Sequence, residues 1–270
     1  MAVTNLDPSR TTMIRRRFSA EMNRRFAMLA KVIREALIKL DVLAIQNLQV
    51  REFQFKTDTG KVEAFRDWLQ QQIDANILTV EGTGKPWTYT YIDSAYKKGL
   101  ERAYFETKKF TEQDDVFLRT SFFAPEMTSK LELVSLRAFE ELKGISAHVS
   151  QMLNRILAQG LADGSHPREI AKDMTDQISS ITKQRARVLA RTEIIRAHAE
   201  GQLDGYENLG IKEVTGAVEW ATAGDDRVCV SCESMEGELF SIKEARGLIP
   251  LHPNCRCAWL PAASEKLKAA

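Results

Sequence analysis

Apolar residues recur along the start of the chain at three- and four-residue steps. Phe18, Met22, Phe26, Leu29, Ile33, Leu37 and Leu40 form one stripe, which predicts an amphipathic helix over 11–40. A second stripe of Val62, Phe65, Trp68, Leu69 and Ile73 predicts a helix over 61–76. Between them, Val50-Arg51-Glu52-Phe53-Gln54-Phe55 alternates with the two-residue period of a short strand. The stretch 77–92, with Gly82, Gly84 and Pro86 among Trp87, Tyr89 and Tyr91, reads as a turn-rich connection with some strand character. A third helix, carrying Tyr96, Leu100 and Tyr104, is expected from about Asp93. The stretch 111–127 has no clear period, and Pro125 marks a break.

The helical period returns over 128–159 with Leu131, Val134, Leu136, Phe139, Leu142, Ile145, Val149, Met152 and Ile156. Gly144 is the expected point of kinking or interruption. A turn follows over 160–167, with Ser165 as the expected helix cap and Pro167 in the first turn, where a missing N–H does no harm. Glu169 and Asp173 suit the positive end of that helix, which carries Ile170, Met174 and Ile178. Ser179-Ser180 is expected to end it. Another helix then runs over 183–209, closed by Gly210 in a left-handed cap. Val214 to Ala221 alternates loosely, as a strand would. These elements predict an α+β fold, predominantly α-helical. A helical N-terminal region over 1–160 precedes a small C-terminal α+β unit over 161–270.

Charge changes this picture only locally. The formal net charge of +1 over 270 residues gives no global field directed at nucleic acid or membrane. The first helix is the exception: Arg15, Arg16, Arg17, Arg24 and Arg25 make its first half basic, as a solvated face or as a contact for DNA phosphates. No apolar run approaches the roughly 20 residues that span a bilayer. The start, MAVTNLDPSR, lacks the apolar segment of a secretory signal, so synthesis in the cytoplasm is expected. Thiols stay reduced there, which favours metal ligation over disulfides.

All four cysteines lie between 229 and 257. Two residues separate Cys229 from Cys232, a spacing that lets one tight turn aim both sulfurs at a point. His252, Cys255 and Cys257 follow, giving five candidate ligands for the four tetrahedral positions of a zinc ion. Cys229, Cys232 and Cys257 are favoured, with His252 or Cys255 as the fourth. Phe240, Leu248, Ile249 and Leu251 supply most of the apolar core expected between the two ligand groups. So small a core needs support, and a structural zinc contributes roughly 10–16 kcal/mol of apparent free energy to small zinc modules. A different zinc chemistry is also spelled out in part. His198-Ala199-Glu200 upstream of Cys229 and Cys232 imitates the zinc deaminase signature, with Glu200 as proton shuttle. That reading places Val228 where proline is wanted and leaves His252, Cys255 and Cys257 idle. A polar helix face is the preferred account of His198 and Glu200.

Several signals then fall in one order: Arg191-Thr192-Glu193, Gly201, Tyr206, Trp220, Asp226-Arg227-Val228-Cys229, Cys232, Gly237, Phe240, Pro250, His252-Pro253-Asn254-Cys255-Arg256-Cys257 and Pro261. Gly164-Ser165-His166-Pro167-Arg168-Glu169-Ile170-Ala171 precedes them as a lead-in. Over roughly 150–262 the chain resembles the phage minor head protein family, the head morphogenesis or Mu protein F-like proteins. The resemblance implies a structural role rather than an enzymatic one. It implies a virion protein made in the host cytoplasm and acting at the portal vertex, with the portal protein and the major capsid protein as partners. Within the shared residues, Arg191 is expected to pair with Asp226 or to cap loop carbonyls. Glu193 is expected to accept from Arg196 or Arg256, and Trp220 and Trp259 to clamp the cysteine module onto a helix.

Overall fold

A computed structural model describes residues 7–39, 58–79, 82, 84–108, 125–208 and 217–262. Its long elements are α1 (Thr12–Ile38), α2 (Asp58–Asn76), α3 (Tyr89–Thr107), α4 (Pro125–Ala162) and α5 (Pro167–Asn208). Three short strands follow, β1 (Ala217–Ala221), β2 (Leu239–Ser241) and β3 (Ala258–Pro261), with single helical turns at Val230–Glu233 and Ile242–Ala245. The fold is therefore predominantly α-helical with a small antiparallel sheet near the C-terminus. The strand expected at 50–55, Leu40, most of the ambiguous stretch after Thr111, the start of the strand at Val214 and the Gly210 cap lie outside the described residues.

Four sequence expectations need correction. Helix α3 begins at Tyr89, four residues ahead of Asp93. Helix α4 continues through Gly144, where an added Cβ would meet nothing within 4 Å, so the glycine neither interrupts the helix nor marks a close approach. Ser179-Ser180 does not end a helix, because α5 is continuous from Pro167 to Asn208. Both serines are exposed, so their hydroxyls are solvated and cost the helix little. The buried stripe Ile170, Met174, Ile178, Thr182, Ala186 and Leu189 passes beneath them unbroken. The cap of α5 is His166 rather than Ser165. The His166 N–H donates to Glu169 Oε2 and the Arg168 N–H donates to His166 Nδ1, each at 3.2 Å, a reciprocal pair that occupies two first-turn donors.

The chain forms two compact units, each assembled from separated segments rather than divided by one cut near 160. One draws on Ser19–Trp87 and Phe139–Arg187, and its long described elements are helices. Its interior follows the α1 and α2 stripes read from the sequence, whereas along α4 Leu153 and Leu157 are buried in place of the expected Met152 and Ile156, which are only half-buried. Met22, Phe26, Leu29 and Ile33 are fully buried, as are Leu69, Leu142, Val149, Leu153 and Leu157. Each such side chain contributes about 1.5–3 kcal/mol relative to exposure. The Trp87 indole N–H donates to the Ile77 carbonyl at 2.9 Å, and the Arg25 guanidinium lies 4.9 Å from the Trp87 ring centroid.

The other unit draws on Met1–Phe18, Thr88–Ala138 and Val188–Ala270. Its sheet has the order β2-β1-β3, with Val218 opposite Phe240 and Trp220 opposite Trp259. Trp220 and Trp259 meet edge to face at 5.3 Å, and Phe240 meets Trp259 at 5.7 Å. They pack with Ala103 of α3 and with Ile195, Ala199, Leu203 and Tyr206 of α5 in one buried cluster. The two tryptophans thus join sheet to helix as expected. Gln202, fully buried, completes the joint: its amide N–H donates to the Trp259 carbonyl at 2.7 Å and its oxygen accepts the Trp259 N–H at 3.2 Å. Helices α3 and α5 approach closely because two crossing positions are glycine. A Cβ on Gly99 would sit 2.1 Å from the His198 carbonyl oxygen, and one on Gly201 would sit 2.2 Å from that of Tyr96.

Candidate metal centre

Two turns present the soft donors. Cys229 precedes the Val230–Glu233 turn with an extended backbone, and its carbonyl accepts the N–H groups of Cys232 at 3.0 Å and Glu233 at 2.9 Å. That turn folds the Cys229 and Cys232 side chains toward a common point. The second turn is closed by the Cys255 N–H donating to the His252 carbonyl at 3.1 Å, with Asn254 in the left-handed region at φ 69. Asparagine tolerates that conformation better than most residues. Cys232, Cys255 and Cys257 are buried and Cys229 is exposed; all four are free thiols.

The five candidate ligands converge. His252 Nε2 lies 3.1 Å from both Cys229 Sγ and Cys232 Sγ, and Cys232 Sγ lies 3.9 Å from Cys255 Sγ. A zinc tetrahedron with bonds of about 2.0–2.3 Å has edges of roughly 3.5–3.7 Å, and the observed distances bracket that value. The donors form two overlapping groups, Cys229–Cys232–His252 and Cys232–Cys255–Cys257, within each of which all ligand atoms lie within 4.8 Å of one another. Cys232 belongs to both. Cys229 and Cys257, favoured together from the sequence, fall in different groups.

The imidazole is set for ligation. His252 Nδ1 lies 2.8 Å from the Pro253 carbonyl. A carbonyl only accepts, so Nδ1 carries the proton and Nε2 turns its lone pair toward the sulfurs. The thiols differ sharply. The Cys257 thiol donates to Cys255 and, against the penalty of burial, pulls the Cys255 pKa down to about 5. Burial and the Cys255 charge push Cys232 up to about 12. Cys257 is raised by its bond to Cys255 and by burial. The surroundings thus favour ionisation at Cys255 over its neighbours, and a cation replacing the remaining thiol protons fits the donor set. A resident metal here would supply cross-linking of the two turns.

The same arrangement excludes the deaminase-like site. Among the described residues neither metal-capable group contains His198. His198 is buried within the helical part of the unit, and burial pushes its pKa down to about 3. Glu200 is occupied structurally, accepting from Arg246 Nη1 at 3.2 Å and from the Gly247 N–H at 2.9 Å.

Comparison with known families bears on the C-terminal part of the chain. Residues 151–260 match the model of the phage Mu protein F like protein family. No curated protein and no solved structure matches the chain. The match is the family already resembled by the sequence signals, and it points to phage head morphogenesis. It spans both turns and all five donors of the Mu F-like module.

Around that module the structure reassigns the polar partners. Arg256 pairs with Asp225 rather than Glu193, through Nη1 at 2.7 Å and a second contact through Nη2. Asp225 also takes Arg227 Nη2 at 2.8 Å, while its neighbour Asp226 is exposed. Arg191 therefore does not find its carboxylate at 226. Glu193 Oε2 lies 3.7 Å from Arg196 Nε, an ion-pair distance rather than the hydrogen bond expected, and 3.9 Å from Arg137 Nε. The sequence reading missed a larger clamp. Arg246 of the Mu F-like module reaches Asp204 at 2.7 Å and Glu207 at 2.6 Å as well as Glu200, and Lys130 of α4 reaches Asp204 at 2.7 Å. The Tyr96 hydroxyl also donates to Asp204. The signal was available: Glu200, Asp204 and Glu207 stand at i, i+4 and i+7, one face of a helix. Leu251, expected in the core, is instead 41% exposed, and Ile242 and Ala245 are buried alongside Ile249.

Proposed function

We propose that this chain is a structural minor head protein of a tailed bacteriophage, acting in head assembly at the portal vertex, with one structural Zn2+ held by its C-terminal module. The observation that carries the reading is the family match over 151–260, which contains the complete Cys/His cluster. Zinc suits the donor set: thiolates and one imidazole select it over hard cations, and burial of three of the four cysteines suits a closed structural site. The portal protein and the major capsid protein are the proposed partners, and the virion is the proposed location. Among the described residues no helix is long and apolar enough to cross a membrane.

Contact with double-stranded DNA through the first helix belongs to the same proposal in a narrowed form. Of the five arginines, Arg15 pairs with Asp7, while Arg24 and Arg25 pair with Glu21. Arg16 and Arg17 are exposed and suit a phosphate contact.

Two measurements test the reading. Elemental analysis of reduced, folded protein should give one zinc per chain, lowered by replacing Cys232 and by replacing His252. Tagged protein from infected cells should bring down portal rings, and failure to do so under conditions that retain other head proteins refutes the portal role.

A further inference from the structure

The unit that carries the metal cluster also contains a cavity of about 390 Å³ that shares none of the metal donors. It lies where the N-terminal segment meets α3 and α5, within the usual range for small-ligand sites. Arg10, Lys98 and Arg102 bring three cations to its wall, with Glu101, Phe105 and His198 beside them. Arg10 sits at φ 52, a left-handed conformation that arginine adopts only when its surroundings impose it. The Arg10 N–H donates to the Asp7 carbonyl at 3.0 Å, closing the turn that directs this residue to the cavity.

The hydrogen bonding around this cavity is incomplete. Arg102 Nε donates to Glu106 Oε1 at 2.6 Å, but Arg102 Nη1 is buried without a partner. His198 Nε2 is likewise buried without a partner, and its side chain is 1% exposed. Such groups are costly unless something completes them. Glu106 is already engaged by Arg102 and by the Tyr206 hydroxyl, so it does not neutralise the remaining cations. The side chains of Arg10, Lys98 and Glu101 have no hydrogen bond or ion pair among the described residues, which leaves two unengaged cations facing one carboxylate. His198 is neutral, so it can donate from Nε2 without adding charge.

We propose that this cavity binds a phosphate group carried on a larger organic molecule, with Arg10, Lys98 and Arg102 as its cationic contacts. Donors that approach from two separate chain segments suit the three terminal oxygens of a tetrahedral anion better than the two coplanar oxygens of a carboxylate. The cavity exceeds the needs of a bare oxyanion. The Phe105 ring on its wall, 64% exposed, offers an apolar surface to the rest of the ligand. The phosphate could come from a soluble phosphomonoester or from a nucleic-acid backbone, and the test separates the two.

Isothermal titration of the full chain with phenyl phosphate, inorganic phosphate, benzoate and a short DNA duplex provides that test. Phenyl phosphate is expected to bind one to one, more tightly than inorganic phosphate, and to move the His198 imidazole resonance. Arg10→Ala and Lys98→Ala, both at side chains with no partner to lose, should each weaken binding by roughly tenfold. Glu101→Gln should tighten it. If the duplex binds, phenyl phosphate does not, and the same two variants weaken the duplex, the source is a backbone phosphodiester and the site stands. Benzoate binding as well as phenyl phosphate overturns the phosphate assignment. Absence of binding by every phosphate probe, or binding indifferent to both variants, overturns the site.

Discussion

The helical unit and the cysteine module hold themselves together by different means. In the first, long stripes of large apolar residues are almost wholly buried, and Phe26, Leu29 and Ile33 are at 0% exposure. In the second, the strands have five, three and four residues, and the interior relies on two tryptophans, a carboxylate–arginine clamp and a convergence of sulfurs. Periodic burial stabilises any sequence with the right spacing. The module instead depends on particular atoms in particular places. It follows that the helical unit should tolerate change in proportion to volume lost, and that the module should fail abruptly when one class of atom is removed.

Stripping the metal gives the largest expected break in that comparison. A structural zinc contributes roughly 10–16 kcal/mol in small modules, so chelation should unfold the Trp220–Trp259 pair. Tryptophan fluorescence should shift while most of the helical circular dichroism survives; an unchanged tryptophan signal in verified metal-free protein contradicts the proposed role. Next comes the helical unit. Phe26→Ala should cost about 3–5 kcal/mol in urea unfolding, by lost burial and a residual cavity, with metal content unchanged. Gly201→Ala should cost about 1–3 kcal/mol, because a methyl group there meets the Tyr96 backbone rather than a flexible side chain. Thermal unfolding reads this loss, and a neutral result means that the α3–α5 crossing is looser than described.

The smallest expected effect concerns Asp7. Burial opposes its ionisation, but hydrogen bonds from Thr12 and Ser9 and the charge of Arg15 outweigh burial and hold its pKa below the ordinary carboxylate value. A depressed folded pKa means stability that is present above the unfolded pKa and is lost as pH falls through the folded one. Asp7→Asn should therefore cost about 1 kcal/mol at neutral pH, and the difference from the parent protein should vanish in acid. A difference that persists unchanged below the carboxylate range rules out this pair as its source.

The sequence disclosed what depends on period and on soft-ligand spacing. The α1 stripe, the cysteine pairs and the tryptophan clamp were all legible, because each announces itself through residue type at fixed intervals. Helix α5 was misdivided because Ser179 and Ser180 look like a break to local propensity, although the buried stripe beneath them is uninterrupted. Gly99 carried no visible signal: its importance lies in the His198 carbonyl across the helix crossing, far away in the chain. Asp225 and Asp226 are neighbours with the same chemistry, and only the turn decides which one meets Arg256. Arg246 was missed because its three carboxylates are spread along a different element.

Gln202 has a consequence for how this protein behaves in a crowd. Strand β3 lies at one margin of the sheet, where free main-chain groups would invite a strand from a neighbouring molecule. At Trp259 both of those groups are already taken by a side-chain amide that copies the donor–acceptor pattern of a missing strand. At that position the margin is sealed from within, by a single residue of the chain's own, against a strand from a neighbouring molecule.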